Sequence, residues 1–71
     1  MINDNLKMLG KNIKFYRKQI GFSQEQLAEA LSKSRNYIGM IERAEVNIPV
    51  GTLFEIAQIL DTEIENFFKL R

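Results

Sequence analysis

The chain has 71 residues, 45% of them apolar and 27% charged, with a net charge of +1, no cysteine and no histidine. That length makes one domain, residues 1–71, near the size at which a single core is only just sufficient, and without thiols or imidazoles neither a disulfide nor a zinc site can staple it. No apolar run approaches the roughly 18 residues of a membrane span, and the opening Met-Ile-Asn-Asp-Asn lacks the basic and apolar regions of a secretory signal, so a cytoplasmic protein built of packed helices is expected.

Leu6, Leu9, Ile13, Tyr16 and Ile20 are spaced 3, 4, 3 and 4 residues apart. This is the stripe of an amphipathic helix running from about Asn5 to Gln19. Gly21 follows as a left-handed C-cap, and Phe22 is placed to drop into the core beside Leu27. Lys7, Lys11, Lys14 and Lys18 occupy the remaining faces, as a solvated surface.

Ser23 and Gln26 form an S-x-x-Q capping box, which starts a second helix at about Gln24. Its apolar residues Leu27, Ala28 and Leu31 make one narrow stripe. Ser32-Lys33-Ser34 then gives poor helix formers in a row, two of them hydroxyl residues suited to turns and N-caps. A third helix, from about Arg35 to Arg43, buries Ile38 and Ile41 and leaves Arg35, Asn36, Gly39, Met40 and Arg43 outside. Arg forks onto guanine and Asn onto adenine, so an Arg-Asn pair near a helix N-terminus suits the reading of base edges in a major groove. Gly39 is costly in an exposed helix interior, by about 1 kcal/mol against Ala, and implies tight packing or close approach of a partner there.

Pro49 is suited to a first helical turn, so a fourth helix is expected to start near it. Leu53, Ile56, Ala57 and Leu60 form its core stripe and Phe54 and Ile59 broaden it, which predicts a largely buried helix. Thr62 and Glu65 read as a second capping box opening a fifth, two-turn helix with Ile64, Phe67 and Phe68 as its apolar residues. A helix that short must dock. Adjacent phenylalanines cannot both face one core, so Ile64, Phe67 and Phe68 are candidates for a dimer interface, with one phenylalanine plugging the domain instead.

Charge is polarised along the chain. The first 43 residues carry eight Lys/Arg against four acids, and the remaining 28 carry two against five. Basic charge thus accompanies the third helix, as a polyanion would require.

As a set, Leu9-Gly10, Ile13 and Arg17, then Phe22-Ser23-Gln24-Glu25-Gln26-Leu27-Ala28, then Ile38 and Ile41-Glu42-Arg43, then Thr52-Leu53, Ile56-Ala57 and Leu60 resemble the Cro/C1-type (XRE-like) helix-turn-helix domain. Phage repressors and the small controller proteins of restriction-modification operons share that domain. The resemblance covers nearly the whole chain and implies an all-α, five-helix, lambda-repressor-like fold with the helix-turn-helix motif at residues 24–43. It implies DNA as partner, with Arg35 and Asn36 touching bases and Tyr37 and Met40 close to the groove. Ser34 becomes the N-cap, Lys33 and Arg43 phosphate contacts, and Gln24 a phosphate contact that also braces the reading helix. Arg17 and Glu42 match a partly buried ion pair between the first and third helices. Two positions depart from the pattern: Ser32 and Ala44 stand where glycine is usual, at sites expected to approach positive φ.

The function expected is a sequence-specific transcriptional regulator that binds a pseudo-palindromic operator as a homodimer. The alternative is an antitoxin-like protein-interaction module that also binds DNA, with a protein partner held by the C-terminal phenylalanines and acidic face. An enzyme is not expected: there is no histidine or cysteine to act as base or nucleophile and no Gly-rich phosphate loop. No catalytic, cofactor-binding or metal-binding residue is assigned.

Overall fold

The computed structural model describes residues 4–70; the outermost bounds of the expected domain, residues 1 and 71, lie outside the described residues. Four α-helices, α1 (Asp4–Gln19), α2 (Gln24–Leu31), α3 (Arg35–Glu42) and α4 (Val50–Ile59), precede a short 3-10 helix, η1 (Ile64–Phe68). The all-α architecture stands, and the fifth element is a 3-10 turn instead of an α-helix. Among the described residues no helix is long and apolar enough to cross a membrane.

Local chemistry accounts for most boundaries. The Gln26 N–H donates to Ser23 Oγ at 3.0 Å while the Ser23 N–H donates to Gln26 Oε1 at 2.8 Å, so the reciprocal box at the start of α2 forms as expected. Ser34 caps α3 in the simpler way, its Oγ accepting from the Tyr37 N–H at 3.1 Å. Gly21 takes φ +80°, the left-handed exit expected of α1. Ser32 and Ala44 adopt φ +58° and +62°, so the chain follows the glycine-type path at both departures and carries the Cβ cost there. Asp61 does the same at the end of α4 with φ +55°, a third such exit that composition and periodicity did not signal.

The core gathers Leu9, Ile13, Leu27, Ala28, Leu31, Ile38, Ile41, Leu53, Ile56, Ala57, Leu60 and Phe67. Three expectations change here. Ile20 is 41% exposed, because α1 ends at Gln19 and the chain turns away before the stripe is complete. α4 buries Leu53, Ile56 and Ala57 but leaves Val50 and Phe54 outside, so it covers the core with one face only. The second capping box is not formed: Thr62 Oγ1 accepts from the Asn66 side-chain amide at 2.8 Å, and η1 begins without a side-chain cap.

Phe67 is fully buried, against Tyr16 and the core, whereas Phe68 is 51% exposed. Phe67 is therefore the plug, which corrects its assignment to a dimer interface: a side chain already enclosed by its own chain has no surface to share. Asn12 holds this plug in place. Its Nδ2, fully buried on α1, donates to the carbonyls of Phe67 and Lys69 at 2.8 and 2.7 Å.

Gly10 sets how closely α1 and α3 cross. A Cβ at that position would lie 2.5 Å from the Ile41 carbonyl oxygen and 3.0 Å from that of Glu42, both backbone atoms that cannot swing aside. Gly10→Ala is expected to lower stability by about 1–3 kcal/mol, the usual range for overpacking, in urea unfolding followed by circular dichroism. Ala44→Gly is expected to act oppositely, raising stability by about 0.5–1 kcal/mol, as relief of the left-handed strain exceeds the added entropy of the unfolded chain.

Candidate nucleic-acid interface

The third helix is fixed from beneath by one polar knot. Arg17 of α1 reaches Glu42 at the end of α3 with two parallel bonds, Nε to Oε2 at 2.6 Å and Nη2 to Oε1 at 3.1 Å. Its Nη1 donates to the Phe22 carbonyl at 2.6 Å. Gln24, the first residue of α2, donates from Nε2 to Glu42 Oε1 at 3.0 Å. The two charged side chains retain only 7% and 3% of their exposure. A forked guanidinium–carboxylate pair with its remaining groups also satisfied is the arrangement in which a buried ion pair is tolerated, and here it ties α1, α2 and α3 at a single point.

Above that knot, α3 turns Ile38 and Ile41 inward and presents Arg35 and Asn36 to solvent from its first turn. Asn36 is loosely restrained, its Nδ2 lying 3.5 Å from the Met40 sulfur four residues on. Tyr37 is half-buried against the core, and Lys33 places its ammonium 5.7 Å from the Tyr37 ring centroid, a cation–π distance. Lys33, Ser34, Arg35, Asn36, Tyr37, Met40 and Arg43 thus lie on the N-terminal approach and outer side of one helix. Gln24 sits apart from them, half-buried, with its amide committed to Glu42. Of the two roles implied for it, the structure displays the brace.

Gly39 does not stand open. Its vacant Cβ position is 2.8 Å from Arg43 Nη1, so the guanidinium of Arg43 lies over it and buries it. Arg43 in turn bonds Glu45, Nε to Oε2 at 3.1 Å and Nη2 to Oε1 at 3.2 Å. Sequence reasoning missed Glu45, which looked like one acid among several, and missed Asn12, which lies between helical stripe positions and gave no periodic signal.

The described surface thus consists of a helix pair with the second helix outermost, capped by serine, braced from below and furnished with Arg and Asn side chains. A helix-turn-helix family model matches residues 13–67. The chain belongs to the helix-turn-helix family. It is of the Cro/C1 type, a family of DNA-binding transcriptional regulators and not a class of enzymes. The control protein C.SmaI of Serratia marcescens is 41% identical over 61 residues, which is 86% of this chain and 73% of that one. The regulator SinR of Bacillus subtilis is 34% identical over 58 residues, and this chain spans about half of its length, 52%. Among solved structures, the restriction-modification controller protein C.AhdI of Aeromonas hydrophila superposes with a TM-score of 0.86 at 30% identity, covering 93% of this chain and all of that one. SinR in complex with DNA superposes with a TM-score of 0.77 at 31% identity, covering 86% of this chain and 98% of that one.

Within this helix-turn-helix domain the knot does not tolerate loss of one partner. Glu42→Ala leaves the Arg17 guanidinium buried without its carboxylate and is expected to cost about 3–5 kcal/mol, comparable with the whole stability of a small domain. Loss of the cooperative thermal transition near ambient temperature is the expected result. An exposed control such as Glu29→Ala is expected to melt within a few degrees of wild type.

Proposed function

We propose that this protein is a sequence-specific transcriptional regulator of the controller type, which binds a pseudo-palindromic operator as a homodimer. The observation carrying this reading is the exposed Arg35-Asn36 pair on the first turn of a helix held rigidly from below by the Arg17–Glu42–Gln24 knot. Bidentate contacts depend on orientation, and the knot removes the freedom that would blur it. Lys33 and the other cations of the basic half supply the phosphate attraction that makes docking salt-dependent. Arg35 and Asn36 are the base readers in this reading, with Tyr37 and Met40 at the groove wall.

Support for a homodimer comes from apolar side chains left outside the core: Val50 and Phe54 on one side of α4, Phe68 on η1 and Leu70 beyond it. Beside Phe54 an open groove of about 350 Å³ runs along Ala57, Gln58 and Asp61 to Ile64, so Ile64 and Phe68 remain interface candidates and Phe54 joins them. Two reading helices related by a two-fold axis would engage half-sites about one helical turn apart. The similarity to C.SmaI and C.AhdI over most of this chain supports the controller type.

The experiment is selection of duplexes from a randomised pool by the wild-type protein, followed by binding of enriched and scrambled duplexes over a salt series. Arg35→Ala is expected to lose on the order of tenfold or more in preference for the enriched sequence while keeping the salt-dependent background. A wild-type protein that enriches no sequence, or an Arg35→Ala protein that keeps full preference, would refute the base-reading assignment. Phe54→Glu is expected to shift the protein toward monomer in analytical ultracentrifugation and to weaken operator binding without unfolding it. A monomeric wild type that binds DNA tightly would remove the homodimer.

A further inference from the structure

The neighbours of α1 divide its circumference. Measured around the helix axis from Ile13 at 3.6 residues per turn, Gly10 and Arg17 lie at roughly 60° and 40°, and both meet α3: Gly10 at the carbonyls of Ile41 and Glu42, Arg17 at the Glu42 carboxylate. Asn12 and Tyr16, at roughly 260° and 300°, meet η1 through the Phe67 carbonyl and ring. The arc between these two contacts, from roughly 100° to 220°, is turned to solvent. Its α3 half holds Lys14, Lys7, Lys18 and Lys11, at roughly 100°, 120°, 140° and 160°, all exposed. Its η1 half holds Phe15 and Met8.

The four lysines follow one another at spacings of four, three and four residues, which makes a ridge about 16 Å long at 1.5 Å per residue. Asp4 is the only acid on the helix. Like charges at these spacings repel and weaken a helix, a cost that a solvated face of mixed sign avoids, and a ridge of one sign attracts a polyanion. Its place selects the polyanion. α1 crosses the C-terminal end of α3, because Gly10 touches the last two carbonyls of that helix, while Lys33 stands before its N-cap. Cations therefore bracket the reading helix. The ridge also lies on the opposite side of α1 from η1, which carries the interface candidate Phe68, so in a dimer it is turned outward. One DNA strand carries a charge every 3.4 Å or so of axis, and the ridge is long enough to follow roughly five phosphates at that spacing.

We infer that the lysine ridge of α1 binds backbone phosphates of the DNA that flanks the operator, outside the bases read by α3, and so lengthens the footprint of each subunit beyond its half-site. The inference rests on the DNA-binding reading above and extends it to a second surface. Lys7, Lys11, Lys14 and Lys18, expected from sequence to be a solvated face, become phosphate contacts in it. Ammonium groups on phosphates carry no base information, so the ridge adds affinity and salt dependence and leaves discrimination to Arg35 and Asn36.

The test compares two duplexes that share one sequence enriched by the wild-type protein. One is trimmed to the bases that selection fixes, and the other is extended at each end by about one helical turn of arbitrary sequence. Wild type is expected to bind the extended duplex more tightly and with a steeper salt dependence, by about two phosphate contacts per subunit, each changing the slope of log K against log salt by about 0.9. The fourfold variant Lys7→Gln, Lys11→Gln, Lys14→Gln, Lys18→Gln, whose helix propensity is nearly that of wild type, is expected to lose this added slope while keeping its preference for the enriched sequence over a scrambled one. Lys14→Gln with Lys18→Gln alone is expected to lose about half of it, as two of four contacts. Ethylation of flanking phosphates is expected to impede wild type and not the fourfold variant.

A fourfold variant that keeps the full gain from the flanks would overturn the inference. So would a loss of slope equal on the two duplexes, since that is the signature of a general field and not of contacts at one place. The two readings fail separately: a wild type that prefers the enriched sequence but gains nothing from the flanks removes the ridge alone. A wild-type protein that enriches no duplex removes the DNA reading itself and this inference with it. Thermal melting of each variant separates loss of fold from loss of contact, and the four lysines, exposed and off the core, are positions where the fold is expected to survive.

Discussion

The orientation of α3 depends on one carboxylate. Glu42 accepts from Arg17 twice and from Gln24 once, and the same arginine closes onto the Phe22 carbonyl, so three helices and the turn between α1 and α2 converge on a group of a few atoms. Apolar packing is tolerant of small rotations, because a stripe of isoleucines can slide in its groove at little cost. A forked ion pair is not tolerant, since its two bonds are lost together when the planes tilt. The core makes α3 stay; the knot decides at what angle. Gly10 complements this by letting the α1 backbone touch the last carbonyls of α3, which shortens the distance the arginine must span.

A small core leaves little room for polar burial, yet this domain buries Asn12, Arg17 and most of Glu42 among some twelve apolar side chains. Such groups add little net stability compared with apolar residues of the same volume, and their value lies in excluding alternatives. Both act between elements distant in sequence: Arg17 across 25 residues to Glu42, and Asn12 across 55 to Phe67. The helices themselves are short, eight residues in α2 and in α3, and marginal in isolation. Specific polar ties between the first helix and the later ones are what give these short pieces one arrangement.

Much of this was legible in the sequence because it rests on local rules. Ser23 with Gln26, Ser34 before Arg35, and Gly21 after the first helix are signals read within three or four residues, and each forms as its chemistry dictates. The buried sides of α2 and α3 follow from Leu27, Ala28, Leu31, Ile38 and Ile41 at helical spacing. The ion pair of Arg17 with Glu42 came from resemblance, since nothing local announces a contact 25 residues away. What was misread shares the same cause. Thr62 with Glu65 has the spacing of a capping box, but Asn66 lies within reach of the same hydroxyl and takes it. Phe54 broadens the apolar face of α4 beyond its stripe, yet a small core covers only one side of that helix. Asn12 and Glu45 act through partners that a periodic pattern does not reveal.

The Asn12 tie has a topological consequence. By holding the carbonyls of Phe67 and Lys69 against the middle of α1, it brings the two ends of the described chain to one place, where Asp4 and Leu70 border a common hollow. A unit whose ends meet at its surface can be joined to other segments without threading them through its core. The knot that orients α3 is made by residues 17, 22, 24 and 42, away from that hollow. Segments joined at either end of the described chain would therefore meet the domain on one side of its surface, around that hollow.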